Sequence, residues 1–119
     1  MKANELRIGN HTQNGIVVEL SNEDIVVFDG TAKWRQSAGL EIEPLPLTEE
    51  WMKRFKLKEV GMVAWSFRRY HIDIKGGAIG IYRLFFNDSN SPMIEFQYVH
   101  ELQNLYFTLT GEELAINKP

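Results

Sequence analysis

Histidines 11, 71 and 100 are the side chains best suited to proton transfer or metal binding, and they stand far apart. None lies in a spacing such as HExxH, and the chain has no cysteine, which excludes thiolate zinc sites, cysteine nucleophiles and disulfides. Strand alternation places His71, Asp73 and Tyr82 on one hairpin face, where a proton-transfer group or weak metal site could form. A polar face beside an exposed turn accounts for the same residues without chemistry. Gly76, Gly77 and Gly80 lie between two strand-like runs, whereas a phosphate cradle leads into a helix N-terminus, so hairpin geometry explains them better. Ser66 and Ser89 lack a nucleophile-elbow context, and Glu112 and Glu113 follow a helix end as solvated charges. No residue is assigned a catalytic, metal-binding or cofactor-binding role, so a non-catalytic protein without a cofactor is expected.

Two binding chemistries are left. Basic residues interleaved with aromatics suit single-stranded nucleic acid, with phosphates held by charge and bases by stacking. The candidates are Lys53, Arg54, Arg68, Arg69, Tyr70, Lys75 and Tyr82, with Lys56 and Lys58 nearby. Against them, Glu49, Glu50, Glu59 and Asp73 dilute the field, and 16 acidic against 13 basic side chains leave a formal charge of −3. The other chemistry is a protein interface, self-associating or with a different protein. Trp34 lies in a polar stretch and Phe107 falls off the apolar stripe of its helix, and an exposed aromatic ringed by polar groups is an anchor for a partner.

The elements that must position these residues are legible from periodicity. With 119 residues, 44% hydrophobic and 24% charged, the chain has the size and composition of one globular α+β domain. Ile16 to Leu20 and Ile25 to Phe28 are β-branched runs forming a hairpin, and Asn14-Gly15 is a turn dipeptide. Thr31 to Gly39 reads as a wide loop, and Leu40 and Ile42, alternating with Glu41 and Glu43, as a third strand. Pro44-Leu45-Pro46 stops it. A helix over about Thr48–Lys56 follows, capped by Thr48, with Glu49 and Glu50 at its positive end, Trp51, Met52 and Phe55 inward, and Lys53, Arg54, Lys56 and Lys58 outward.

Met62 to Ile74 and Ala78 to Phe86 then read as one long hairpin about Gly76-Gly77, with Arg69 opposite Leu84. Its buried face changes near Arg68-Arg69, which predicts a twist between two layers in preference to a bulge. Ile94, Phe96 and Tyr98 alternate as a further strand, and Leu114 to Ile116 suggest a short terminal strand or tail. Between them, Val99, Leu102, Leu105, Tyr106 and Leu109 recur at helical spacing, predicting a helix over about Val99–Leu109 that ends at Gly111 and closes the core. On that reading Leu105→Ala costs about 2–5 kcal/mol. The same spacing leaves His100, Glu101, Gln103, Asn104 and Thr108 on a wet face. Strands outnumber helices and hairpins join them, so the fold class expected is α+β, mainly antiparallel sheet in two groups with two helices.

Three stretches, Glu5-Leu-Arg-Ile-Gly-Asn10, Ile42-Glu-Pro-Leu-Pro-Leu-Thr-Glu-Glu-Trp51 and Val99 to Leu114, resemble a family of small uncharacterised proteins of prophages and mobile elements in gut bacteria. The resemblance covers the start, the first helix and the last helix. It implies a bacterial or phage setting and transfers no site residue. The N-terminal residues include no apolar run of signal-peptide length, and no segment has the apolar length of a membrane span, so a cytoplasmic protein without membrane contact is expected.

Overall fold

Antiparallel pairing dominates the computed structural model, which describes residues 2–21, 24–37, 41–61, 64–75, 80–87 and 89–114. The described residues form two meandering sheets and two α-helices, an α+β fold of mainly antiparallel sheet. It divides into two compact units, Met1–Leu45 with Tyr98–Glu113 and Pro46–Gln97 with Leu114–Pro119.

The first unit carries β1 (His11–Thr12), β2 (Gly15–Leu20), β3 (Ile25–Phe28) and β4 (Lys33–Arg35), adjacent in that order and all antiparallel. The expected hairpin is present, with Ile16 opposite Phe28 and Leu20 opposite Ile25, and the register shifts at Val18. Leu6, Val17, Ile25, Val27 and Ile42 form its core, with Ala3 and Leu20 packed against them. The stretch read as a wide loop contains β4, because the buried β3 needs a ladder partner on its second edge. All of β4's side chains are exposed, so no alternation announces it. The third strand expected at Leu40–Ile42 is not formed at Glu41 or Ile42, while Leu40 lies outside the described residues. Ile42 is instead a fully buried loop residue whose N–H donates to the Gln36 side chain.

Helix α2 (Val99–Thr110) belongs to this unit. The Glu101 carboxylate accepts the Tyr98 N–H at its start. Gly111 ends it at φ 76, donating its N–H to the Phe107 carbonyl, as Gly permits without strain. Val99 and Leu102 are fully buried, but Leu105, Tyr106 and Leu109 are only half-buried, so the apolar stripe is deep in its first half alone. The expected wet face is also revised. His100 and Gln103 are buried, because the N-terminal loop lies on that side of the helix. Gln103 Oε1 accepts the His11 N–H at 2.8 Å and Nε2 donates to the Gly9 carbonyl at 3.1 Å. Asn104 Nδ2 donates to the Glu5 carbonyl, and its Oδ1 accepts Asn10 Nδ2 at 2.9 Å.

The second unit begins with α1 (Glu49–Arg54), where Thr48 Oγ1 accepts the Trp51 N–H as a cap. The helix stops short of Lys56 because the chain turns left-handed there, at φ 56. The Lys56 N–H donates to the Lys53 carbonyl and the Leu57 N–H to the Met52 carbonyl, the paired bonds of a Schellman end. Lys58, expected on the helix, opens β5 (Lys58–Gly61). The five-stranded sheet continues as β6 (Ala64–Phe67), β7 (Tyr70–Ile74), β8 (Tyr82–Phe86) and β9 (Ile94–Phe96).

The long strand expected from Met62 to Ile74 is two strands reversing at Arg68-Arg69, with Phe67 opposite Tyr70 and Arg68 at φ 52. The change of buried face is therefore a turn, not a twist or a bulge. Trp65 and Ile72 are cross-strand neighbours, and Ile72, not Arg69, lies opposite Leu84. The Gly76-Gly77 loop lies outside the described residues, as does Met62. One sheet face carries the buried Trp65, Phe67, Ile72, Tyr82, Leu84 and Phe96. The other carries Ser66, His71, Asp73, Arg83, Phe85 and Glu95. Leu114 is buried but not in a strand; Ala115 and Ile116 lie outside the described residues.

Candidate functional site

In a four-stranded meander, alternate turns fall at the same end of the sheet. The β1–β2 turn at Gln13-Asn14 and the β3–β4 turn at Asp29–Ala32 therefore meet. Gly15 allows the approach: at φ +135 a Cβ there would lie 2.4 Å from the Phe28 carbonyl oxygen. Residues Glu43 and Pro44 run beside the first turn. The Gln13 N–H donates to the Glu43 carbonyl, and Thr12 bridges to Pro44.

Trp34 sits where this sheet end meets its edge. The row Val17, Val27, Trp34 crosses three strands, and its first two members are fully buried. The third runs past the core onto the edge strand and is 44% exposed. Asp29 holds it: the indole Nε1–H donates to Asp29 Oδ2 at 2.5 Å. Asp29 Oδ1 accepts the N–H groups of Thr31 and Ala32, both at 2.8 Å, and the Thr31 hydroxyl at 2.9 Å. The Ala32 and Thr31 N–H groups, then the indole and the Thr31 hydroxyl, hold this exposed carboxyl well below the usual carboxylate range, so it is an anion at any physiological pH.

Gln13, Asn14, Asp29 and Trp34 line an open cleft of about 290 Å³. Its amides are anchored at one end only. Gln13 Nε2 donates to the Pro44 carbonyl at 3.0 Å and Asn14 Oδ1 accepts the Glu43 N–H at 3.0 Å, which among the described residues leaves Gln13 Oε1 and Asn14 Nδ2 open. Among the described residues the cleft thus presents one aromatic ring held by the Asp29 side chain, and one carboxylate, one free acceptor and one free donor on side chains anchored to the backbone before any ligand arrives. Trp34 was visible in the sequence as an aromatic in a polar stretch. Asp29, Gln13 and Asn14 were not, because only the pairing of β1 with β2 and of β3 with β4 brings their turns together.

Phe107 is 39% exposed, as its place off the stripe predicts. One side of its ring is already taken by the Arg7 guanidinium, 3.8 Å from the centroid, and Arg7 is also ion-paired with Glu113.

The nucleic-acid candidates are scattered by the fold. Tyr82 lies on the buried face, 4% exposed, with its hydroxyl donating to the Leu47 carbonyl, so it offers no ring to a base. It also faces away from His71 and Asp73, which removes the three-residue constellation expected on one hairpin face. Asp73 instead takes Arg83 in a bidentate pair at 2.9 and 2.9 Å, and His71 stacks on Phe85 at 4.9 Å. Lys75 pairs with Glu95 at 3.1 Å. Tyr70 stacks on Phe67 and packs against Phe86. Arg54 lies over the Trp51 ring at 4.2 Å, with Lys53 beside it on α1. Arg68 and Arg69 occupy the β6–β7 turn. Among the described residues no group of His, Asp and Glu is disposed to hold a metal ion, and no helix is long and apolar enough to cross a membrane.

Comparison with protein-family models, curated proteins and solved structures finds no match to this chain.

Proposed function

We propose that this protein is a non-catalytic interaction module that binds a protein partner, a second copy or a different chain, through the Trp34 cleft. The observation that carries this reading is the indole itself: it is 44% exposed at a sheet edge yet fixed by Asp29. A fixed aromatic loses little entropy on binding, and buried tryptophans dominate the energy of interfaces. The setting is the cytoplasm of a bacterium carrying a prophage or mobile element, a reading that rests on the family resemblance.

The test is a selection of peptide ligands from a random display library on the whole protein, read against Trp34→Ala. The reading expects binders whose affinity falls at least about fivefold in the variant, in line with an interface hot spot. Light scattering of both proteins reports whether a second copy fills the cleft, as association that Trp34→Ala abolishes. Binders indifferent to the substitution, together with no Trp34-dependent association, sink the proposal.

A further inference from the structure

Arginines of this chain lie against several of its own aromatic rings. Arg7 lies over Phe107 at 3.8 Å, Arg54 over Trp51 at 4.2 Å and Arg83 beside Phe85 at 5.3 Å. Trp34, 44% exposed, has no cation over its ring among the described residues. Indole is the ring that attracts cations most strongly. Its N–H donates to an ionised carboxylate, which pushes electron density into the ring and strengthens that attraction further. Asp29 has no ion-pair partner among the described residues: Lys75, Arg7, Arg35 and Arg83 each pair with a different carboxylate.

We propose that the Trp34 cleft takes a basic side chain, the guanidinium or ammonium group of an arginine or lysine on a different protein. This rests on the reading of the cleft as a protein-binding site and names what the partner inserts. The cation lies over the indole, donates to the remaining lone pair of Asp29 Oδ2 and reaches Gln13 Oε1, the acceptor that Pro44 leaves open. Arginine and lysine are pure donors, so a ring face and two acceptors suit them. The formal charge of −3 favours a basic partner over a second copy of this acidic chain.

The probe is acetyl-Gly-Arg-Gly-amide against the same tripeptide carrying Glu, titrated into the whole protein while its indole N–H resonances are followed. Trp34→Phe assigns the signal, since Trp51 and Trp65 are the chain's remaining indoles. The arginine peptide should shift the Trp34 signal and the glutamate peptide should not. Added salt should weaken the shift, a measurement that needs no variant. Asp29→Asn, which keeps a side-chain acceptor, should weaken binding about threefold or more. Equal response to both peptides, a salt-independent response, no response, or the same shift with a neutral polyol such as methyl glucoside overturns the proposal. Library peptides that depend on Trp34 but lack Arg and Lys overturn it while leaving the interaction-module reading standing.

Discussion

At the scale of the residue, strain and burial mark different places from the cleft. Lys56 holds a left-handed backbone, φ 56, to close the Schellman end of α1. A side chain with a Cβ costs about 1–2 kcal/mol there, part of which glycine returns through its freer unfolded chain. Lys56→Gly should therefore raise stability by about 0.5–1 kcal/mol, read as a higher urea midpoint. His100 is 5% exposed, stacked on Tyr98, and its Nδ1 has no hydrogen-bond partner among the described residues. Burial pushes its pKa below the ordinary 6.5, against the weaker opposite pull of Glu101 and Glu5. The unfolded chain then takes up a proton near pH 6.5 while the folded one resists. Stability is full above that pH, falls as pH drops through it, and levels once the folded histidine also protonates. Between pH 7.5 and 5.5 the wild type should lose more stability than His100→Leu; equal losses would show that the ring titrates as freely folded as unfolded.

At the scale of the element, α2 is tied by polar bonds as well as by its apolar stripe. Gln103 serves both the His11 N–H and the Gly9 carbonyl, so Gln103→Leu leaves backbone groups without partners and should cost about 1–3 kcal/mol. The stripe itself is uneven. Leu102, fully buried, should cost about 2–5 kcal/mol on truncation to Ala, whereas half-buried Leu105 should cost less than about 2 kcal/mol. Chemical denaturation of the pair checks both; equal losses would restore the uniform stripe that helical spacing alone suggests. The sheet end that carries the cleft depends on Gly15. Ala there meets the Phe28 carbonyl at 2.4 Å in a disfavoured conformation and should cost about 1–3 kcal/mol, reported by a lower midpoint and by broadening of the Trp34 indole resonance.

At the scale of the whole molecule, charge governs which partners are drawn in. The net charge is −3, and of the basic residues considered for a nucleic-acid surface Lys53 and Arg54 lie on α1, Arg68 and Arg69 in the β6–β7 turn, and Lys75 in an ion pair with Glu95. Labelled single- and double-stranded DNA and RNA should show no salt-sensitive binding even at low ionic strength, where phosphate contacts are strongest. The same negative charge, with Asp29 beside an open indole, supports the proposal of a basic protein partner.

Local chemistry written in consecutive residues determined the caps and the first hairpin. Thr48 before Glu49-Glu50 starts α1, Gly111 ends α2, and the β-branched runs at 16–20 and 25–28 pair, because each signal acts over a few residues of one segment. Trp34 stood out by type alone. The tertiary structure decided what depends on neighbours distant in sequence. It showed that Lys33–Arg35 pairs along β3, that the buried face near Arg68-Arg69 changes through a reversal, and that Gln103 and His100 turn inward. It also set the cleft, since Gln13, Asn14, Asp29 and Trp34 become neighbours only when two turns of one meander fall at the same end of a sheet. Periodicity reports which face of one element is apolar; which side chains from separate elements converge is set by pairing and register, and there the protein's candidate function lies.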